Sequence, residues 1–244
     1  MGSEDLFKKQ KYNRKNKGKK LEKQLKESIL IVCEGEKTEP NYFKSFPNSG
    51  IKIEIIGEGR NTNSLVNAGI KHWKALSEEG FYYENMYIVM DRDSFTIENY
   101  NKAFQTIINF ENEINKKKKY KRKLSSKFKA EVIYSNEAFE LWYLLHYDYH
   151  DTAINRRDYE GLLTKKLNKP YKKNDYNIYS ILKNISDKNK GLQFAINNSI
   201  KLRRKNTPQE NPSTNVDILV KELICKYCES KKVKCENKDY FYYP

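Results

Sequence analysis

The chain has 244 residues, 38% hydrophobic and 13% aromatic, which is enough apolar material for one medium-sized α/β domain and a smaller appendage. Its 47 Lys and Arg against 32 Asp and Glu give a formal net charge of +15, which excludes an acidic surface and favours a polyanionic partner. No run approaches the roughly 18 apolar residues that span a bilayer, and the N-terminus lacks the apolar segment of a secretory signal, so we expect a cytoplasmic protein.

A buried strand is predicted after a basic arm over residues 1–27, which has no apolar period. Residues 28–33 form a continuous apolar, β-branched run, typical of a strand buried on both faces of a parallel sheet. Glu34 follows directly, and Thr38 and Pro40 then carry the signals of a helix start. The pattern therefore predicts a carboxylate at the carboxyl end of the first strand.

Further strands alternate with helices over the first 150 residues. Strands are predicted over 51–56, 86–90 and 130–134, and helices over 64–76, 97–110 and 137–147. This alternation implies βαβ crossovers and a mostly parallel four-stranded sheet flanked by helices. Residues 151–244 form a helical C-terminal region that we expect to pack on the domain of residues 28–150, with helices near 159–167, 178–185, 192–204 and 216–228.

Acidic residues follow two of these strands. Glu34 ends the first strand, and Asp91 and Asp93 follow the third. Ligands bind at the carboxyl ends of parallel strands, and carboxylates are the ligands that Mg²⁺ prefers. An Asp-x-Asp pair alone is more often a turn or a helix cap, but its pairing with a strand-end glutamate favours a metal site. We predict that all three residues are catalytic and bind Mg²⁺ or Mn²⁺.

Four segments of the chain resemble motifs of the RloB family, which carries a Toprim-like domain. The first segment contains the strand and its Glu-Gly, and the second contains the Asp-x-Asp pair. The segments are ILIVCEGEKTEPNYF (29–43), YIVMDRD (87–93), YSNEAFELWYLLH (134–146) and NPSTNV (211–216).

The resemblance implies a metal-dependent nuclease of bacterial or archaeal defence loci, related to abortive-infection Toprim effectors. In this family Glu34 matches the Toprim glutamate, and Asp91 and Asp93 match the aspartate pair. The implied substrate is nucleic acid, either RNA such as tRNA or DNA, and the implied partner is an ATPase encoded alongside. The alternative is a non-catalytic subunit that binds nucleic acid or the ATPase; the intact acid triad favours the enzyme.

Four more residues are candidates for supporting the metal or contacting the substrate. Glu36 and Glu39 lie in or before the first helical turn, where the helix dipole alone also favours acids. Lys37 could hold a phosphate or simply be a solvent lysine. Glu140 lies on a predicted helix whose apolar pattern indicates core, so a capping or buried hydrogen-bonding role is its alternative.

Basic residues are clustered in three runs. Two of these runs are residues 8–23 and 201–205. Such clusters supply non-specific affinity for nucleic acid, although a lysine-rich solvated surface is the alternative. The third is the predicted nucleic-acid-binding run, and we expect it to be an exposed extension: Lys116, Lys117, Lys118, Lys119, Lys121, Arg122 and Lys123.

The remaining motifs favour structural roles. Cys225, Cys228 and Cys235 have a spacing that could bind zinc, but a fourth ligand is missing, so free thiols are favoured. His146 lies on an apolar helix and is predicted to be a core histidine. Asn136 is predicted as an N-cap instead of a ligand. Residues 211–214 are predicted as a turn and cap before the last helix, with a hydroxyl or amide that reaches the substrate as the alternative.

Overall fold

A mixed sheet is the framework of the part of the chain that the structure describes. The computed structural model describes residues 28–46, 52–57, 62–92, 96–185, 187, 190–230 and 232. Its strands are β1 (Ile29–Cys33), β2 (Ile53–Gly57), β3 (Asn85–Asp91), β4 (Lys129–Asn136) and β5 (Ser213–Thr214). They lie in the order β2-β1-β3-β4-β5, with β5 antiparallel to β4 and the other neighbours parallel.

Helices cover both faces of this sheet, which confirms the predicted α/β class with a helical C-terminal region. None of the described helices has the length and apolarity needed to cross a membrane. The helices are α1 (Thr38–Lys44), α2 (Thr62–Glu78), α3 (Ile97–Lys116), α4 (Lys118–Lys121), α5 (Glu140–Leu144), α6 (Tyr159–Leu167), α7 (Ile178–Lys183), α8 (Leu192–Lys205) and α9 (Val216–Ser230), with a 3₁₀ turn at Arg156–Asp158 before α6. The predicted basic arm, residues 1–27, lies outside the described residues.

The side chains of β1 alternate between two hydrophobic layers. Ile29, Ile31 and Cys33 belong to the layer formed with α1 and the C-terminal helices, whereas Leu30 and Val32 belong to the layer formed with α2 and α3. All five are fully buried. A strand that is covered on both faces needs apolar residues at every position, which is why β1 has a continuous apolar run instead of an alternating one.

The connections of the sheet create a crevice between β1 and β3. The chain leaves β1 through α1 towards β2 on one side, and leaves β3 through α3 towards β4 on the other. Loops that diverge in this way leave an opening at the carboxyl ends of the two strands, which is the usual ligand position in open α/β sheets. The topology therefore selects this edge of the sheet for a site.

A fifth strand is the main departure from the predicted four-stranded sheet. The sequence predicts a turn at Ser213 and Thr214, but they pair with Asn136 and Ser135 at the end of β4. This pairing keeps the chain extended, so the prediction that Asn136 caps a helix is wrong. Its side-chain amide instead donates to the Gln209 carbonyl at 3.1 Å, and α5 begins three residues later than predicted.

The C-terminal region is joined to the sheet by polar contacts as well as by packing. Asn215 Oδ1 accepts a hydrogen bond from the Tyr134 backbone N–H at 2.7 Å, and its Nδ2 donates to the Val132 carbonyl at 2.9 Å. The Asn215 amide thus satisfies backbone groups of β4 where the short β5 does not reach. Residues of α8 and α9 complete the hydrophobic layer beside β1.

The basic run at residues 201–205 is partly used inside the fold. Arg203 makes a bidentate ion pair with the carboxylate of Asp217. The Asp217 side chain is fully buried. Lys221 Nζ lies 3.1 Å from the same carboxylate, and Ser199 Oγ donates to it at 2.7 Å. Asp217 therefore ties α8 to α9, and Arg203 is not available to a polyanion.

Removing one partner of this buried pair should destabilise the protein. We expect Arg203→Ala to lower the free energy of unfolding by about 3 kcal/mol, at the lower end of the usual range because Lys221 and Ser199 still contact Asp217. The exposed neighbour Arg204 is the matched control, and Arg204→Ala should change stability by less than about 0.5 kcal/mol. Urea unfolding measures both; equal losses would show that the Asp217 pair adds nothing.

Candidate active site

Glu34 and Asp91 lie side by side at the carboxyl edge of the sheet. The Glu34 backbone N–H donates to the Val89 carbonyl at 2.9 Å, which continues the pairing of β1 with β3. The Asp91 backbone N–H in turn donates to the Glu34 carboxylate at 3.2 Å. The structure thus brings together two of the three predicted ligands. Asp93, the third, lies outside the described residues.

A cleft of about 360 Å³ opens above these two residues, at the crevice between β1 and β3. Besides Glu34 and Asp91, it is lined by two buried glutamates, Glu39 in the first turn of α1 and Glu140 at the start of α5. The described residues that line it are Glu34, Gly35, Glu36, Lys37, Thr38, Glu39, Asp91, Phe139, Glu140, Arg156, Lys173 and Asn174.

Asp91 is a buried acid whose pKa is strongly shifted by its surroundings. Its side chain is buried, and burial raises its pKa well above the usual range. The charges of Glu39, Glu140 and Glu34 raise the pKa further, and Arg156 opposes them. Among the described residues, Asp91 Oδ1 has no hydrogen-bond partner. An ionised, buried carboxylate with an unsatisfied oxygen is unfavourable unless a cation arrives.

Glu39 and Glu140 are also buried beside the cleft. Burial raises the pKa of Glu39, and the charge of Glu140 adds to this shift, while Lys173 and Arg156 oppose it. Within the described part of the chain Glu39 Oε2 has no hydrogen-bond partner, and it lies directly against Gly35. Glu140 instead accepts a hydrogen bond from the Tyr171 hydroxyl at 3.2 Å. Of the four predicted supporting residues, the structure thus buries these two in the cleft.

The other two predicted supporting residues are at the rim. Glu36 and Lys37 line the cleft and are exposed, in the turn between β1 and α1. Their exposure places them where a substrate entering the cleft can reach them. They differ in this from Glu39 and Glu140, whose buried carboxylates act on the pKa of Asp91.

Arg156 is a cleft residue that the sequence analysis missed. Its guanidinium Nη2 lies 3.5 Å from Asp91 Oδ2, and its backbone N–H donates to Glu137 Oε2 at 2.9 Å. Asn211 holds the backbone two residues earlier, accepting from the Ile154 N–H at 3.3 Å and donating to the Ile154 carbonyl at 3.0 Å. The sequence predicts a turn at Asn211, and its place in the fourth motif is the available signal for a link to the cleft.

No complete metal site is formed by the described side chains themselves. No group of three His, Cys, Asp or Glu among them is arranged to hold one ion. Mg²⁺, however, is commonly bound by one or two carboxylates with water completing its coordination. Glu34 and Asp91 are adjacent hard oxygen donors, and the unsatisfied Asp91 Oδ1 is suited to such an ion. The residues present therefore fit a magnesium site.

The lysine run at residues 116–123 lies away from the cleft. It directly precedes β4, whose first residue Lys129 pairs with Asn85, the first residue of β3. It is thus at the amino edge of the sheet, roughly 20 Å from Asp91 along a seven-residue strand. Its lysines and Arg122 are exposed, and Tyr120 packs against Trp73. The run cannot contact a phosphate held at Asp91.

The structure packs His146 in the core, as predicted. Its Nδ1 lies 2.9 Å from the Trp142 carbonyl, and burial lowers its pKa to about 4. Cys225 and Cys228 lie on α9 as free thiols, and Cys235 lies outside the described residues. The described cysteines and histidines therefore form no zinc site.

Gly57 lets the turn after Glu34 pack against the end of β2. A Cβ at this position would stand 2.7 Å from the Glu36 Cα and 2.7 Å from the Gly35 carbonyl oxygen. Because both neighbours are backbone atoms of the cleft, a side chain here would displace the turn that carries Glu34.

We expect Gly57→Ala to reduce the free energy of unfolding by about 1–3 kcal/mol through overpacking. Gly161 on α6 is the matched control, because a Cβ there would meet nothing within 4 Å. Gly161→Ala should be neutral or stabilise by up to about 1 kcal/mol. Thermal and urea unfolding test this difference, and equal stability of the two variants would contradict the close approach.

A known protein family matches the part of the chain that forms the cleft. The sequence profile of the family described as RloB-like protein matches residues 29–223. This range includes β1, β3, both central acids, Arg156 and Asn211. No curated protein and no solved structure matches the chain.

Proposed function

The chain belongs to the RloB family, and from this premise we propose that it is a Mg²⁺-dependent nuclease that hydrolyses phosphodiester bonds of nucleic acid. The observation that carries the proposal is the contact between Glu34 and Asp91, with a buried, unsatisfied Asp91 oxygen, at the crevice of the sheet. Both residues match the acidic motifs of the resemblance. A role in antiviral defence and an ATPase partner are further expectations from that resemblance.

The metal ligands in this proposal are Glu34, Asp91 and Asp93, with Mg²⁺ or Mn²⁺ as the ion. Such an ion would stabilise the charge that develops on the phosphate and acidify a bound water. Three carboxylates repel one another at neutral pH until a divalent cation enters. At Asp91 burial raises the pKa most, and the charges of Glu39, Glu140 and Glu34 raise it further.

The chain's own residues supply the other requirements of hydrolysis. Glu34 is half-buried and held by the Asp91 backbone N–H, so its carboxylate can accept a proton from an attacking water. Arg156 and Lys173 line the cleft as cations that can bind phosphate oxygens. Glu39 and Glu140 add negative charge beside Asp91, which favours the bound metal ion.

One observation favours the alternative, a binding subunit that cuts nothing. Arg156 Nη2 lies 3.5 Å from Asp91 Oδ2 and already offsets part of the charge of this carboxylate. If the arginine is the permanent counter-ion of Asp91, the cleft is a structural ion pair at the end of β3. Cleavage assays separate these two functions.

Asp91→Asn should abolish cleavage while leaving the fold intact. We expect cleavage to fall at least about 100-fold, because the metal and its charge stabilisation are lost. Stability without metal should be equal or higher, since the ionised, buried carboxylate is removed. Purified protein is incubated with plasmid, single-stranded DNA and total tRNA in Mg²⁺, Mn²⁺ or EDTA, and the Tm is measured with and without Mg²⁺.

Glu34→Gln keeps the shape of the side chain and should bind nucleic acid without cutting it. Glu78→Gln, which changes an exposed acid at the end of α2, is the control and should cut normally. If Asp91→Asn unfolds the protein while Glu34→Gln retains full activity, these acids are structural and the binding-subunit alternative is correct.

A further inference from the structure

A second pocket lies beside the cleft and is not used by the proposed hydrolysis. Its volume is about 540 Å³, larger than that of the cleft. It lies among the loop after α5, the 3₁₀ turn and α6. We call it the His150 pocket, and its lining includes His150, Ile154, Arg157, Gly161, Leu162 and Lys165.

The His150 pocket and the cleft share one wall. Arg156 lines the cleft and Arg157, the next residue of the 3₁₀ turn, lines the His150 pocket. The 3₁₀ turn therefore supplies one cation to the lining of each site.

The lining of the pocket combines cations with a partly apolar interior. Arg157 and Lys165 are exposed, and in the part of the chain that the structure describes neither has an ion-pair partner. They outnumber Asp158, the one acid among the described lining residues. An arginine can both pair with phosphate and stack on a base, and a lysine can hold a phosphate.

His150 supplies an unsatisfied polar atom in this interior. Its Nε2 is buried and has no hydrogen-bond partner among the described residues. Burial lowers its pKa, so the ring is neutral near pH 7 and Nε2 can donate or accept according to the tautomer. The side chains of Ile154 and Leu162 add apolar surface to the same lining. A neutral ring, an apolar surface and an unsatisfied nitrogen suit a nucleobase better than they suit a bare phosphate.

We propose that the His150 pocket binds an unpaired nucleobase, with Arg157 and Lys165 on its phosphate, next to the nucleotide held in the cleft. The substrate is then single-stranded or looped nucleic acid, because a base inside a duplex enters the pocket only after it is unpaired and unstacked, which costs free energy. This inference rests on the proposed function for the order of the two sites, but binding to the pocket needs no cleavage.

The lysine run at residues 116–123 should act differently. It is an exposed row of cations at the opposite edge of the sheet, and it lines neither the cleft nor the His150 pocket. Such a surface attracts backbone phosphates of any nucleic acid in a salt-dependent way. It gives affinity without distinguishing single strands from duplexes, so it provides a charge-matched control.

Binding is measured in EDTA by fluorescence anisotropy with labelled single-stranded RNA, single-stranded DNA and a blunt duplex. The double variant Arg157→Ala, Lys165→Ala should bind the single strands about 10-fold more weakly and the duplex less than about 2-fold more weakly. The control Lys118→Ala, Lys121→Ala removes the same charge and should weaken single strands and duplex by one common factor.

A second variant fills the pocket without changing its charge. Gly161 lines the pocket in open space, so Gly161→Leu should leave the Tm equal or higher and reduce single-strand binding alone. The inference would be overturned if this variant bound single strands normally. It would also be overturned if the Arg157 and Lys165 double variant lost single-strand and duplex binding equally. The pocket variants could lose single-strand binding selectively while the unaltered protein cleaves nothing in Mg²⁺. This result would support the nucleobase pocket and contradict the proposed nuclease function.

Discussion

The parallel pairing of β1 with β3 is the interaction on which the candidate site depends. The Val89 carbonyl accepts a hydrogen bond from the Glu34 backbone N–H, and the Asp91 backbone N–H donates a hydrogen bond to the Glu34 carboxylate. These two hydrogen bonds place acids that are 57 residues apart in contact at the edge where the chain diverges. A shift of this register by one residue would send one acid to the opposite face of the sheet.

The unfavourable electrostatics of this arrangement are concentrated in Asp91. It is buried near three other acids, and the charge of Arg156 opposes their effect on the pKa of Asp91. Arg156 in turn depends on Glu137 and on Asn211, which hold the backbone of its loop. The fourth motif therefore has a structural link to the acidic cleft, although it is far from it in sequence.

The C-terminal region contributes to the same site through the sheet. Asn215 and β5 keep the end of β4 extended, and α5 follows from that point with Glu140 lining the cleft. The Arg203–Asp217 pair holds α8 to α9 behind this layer. The acids of the first 150 residues are thus positioned in part by contacts with the last third of the chain. The predicted regions 28–150 and 151–244 therefore both contribute to the site.

The sequence by itself determined the elements whose causes are local. Continuous apolar runs predicted β1, β3 and β4, and the carboxylates that follow β1 and β3 had to meet at one edge because parallel strands share their direction. The remainder depended on contacts between distant segments. Ser135 and Asn136 are strand because they pair with Thr214 and Ser213, Arg156 enters the cleft because Asn211 holds its loop, and the lysine run faces away because α3 returns to the amino edge. No local pattern encodes such contacts, because each is stabilised only after the chain has closed around the sheet.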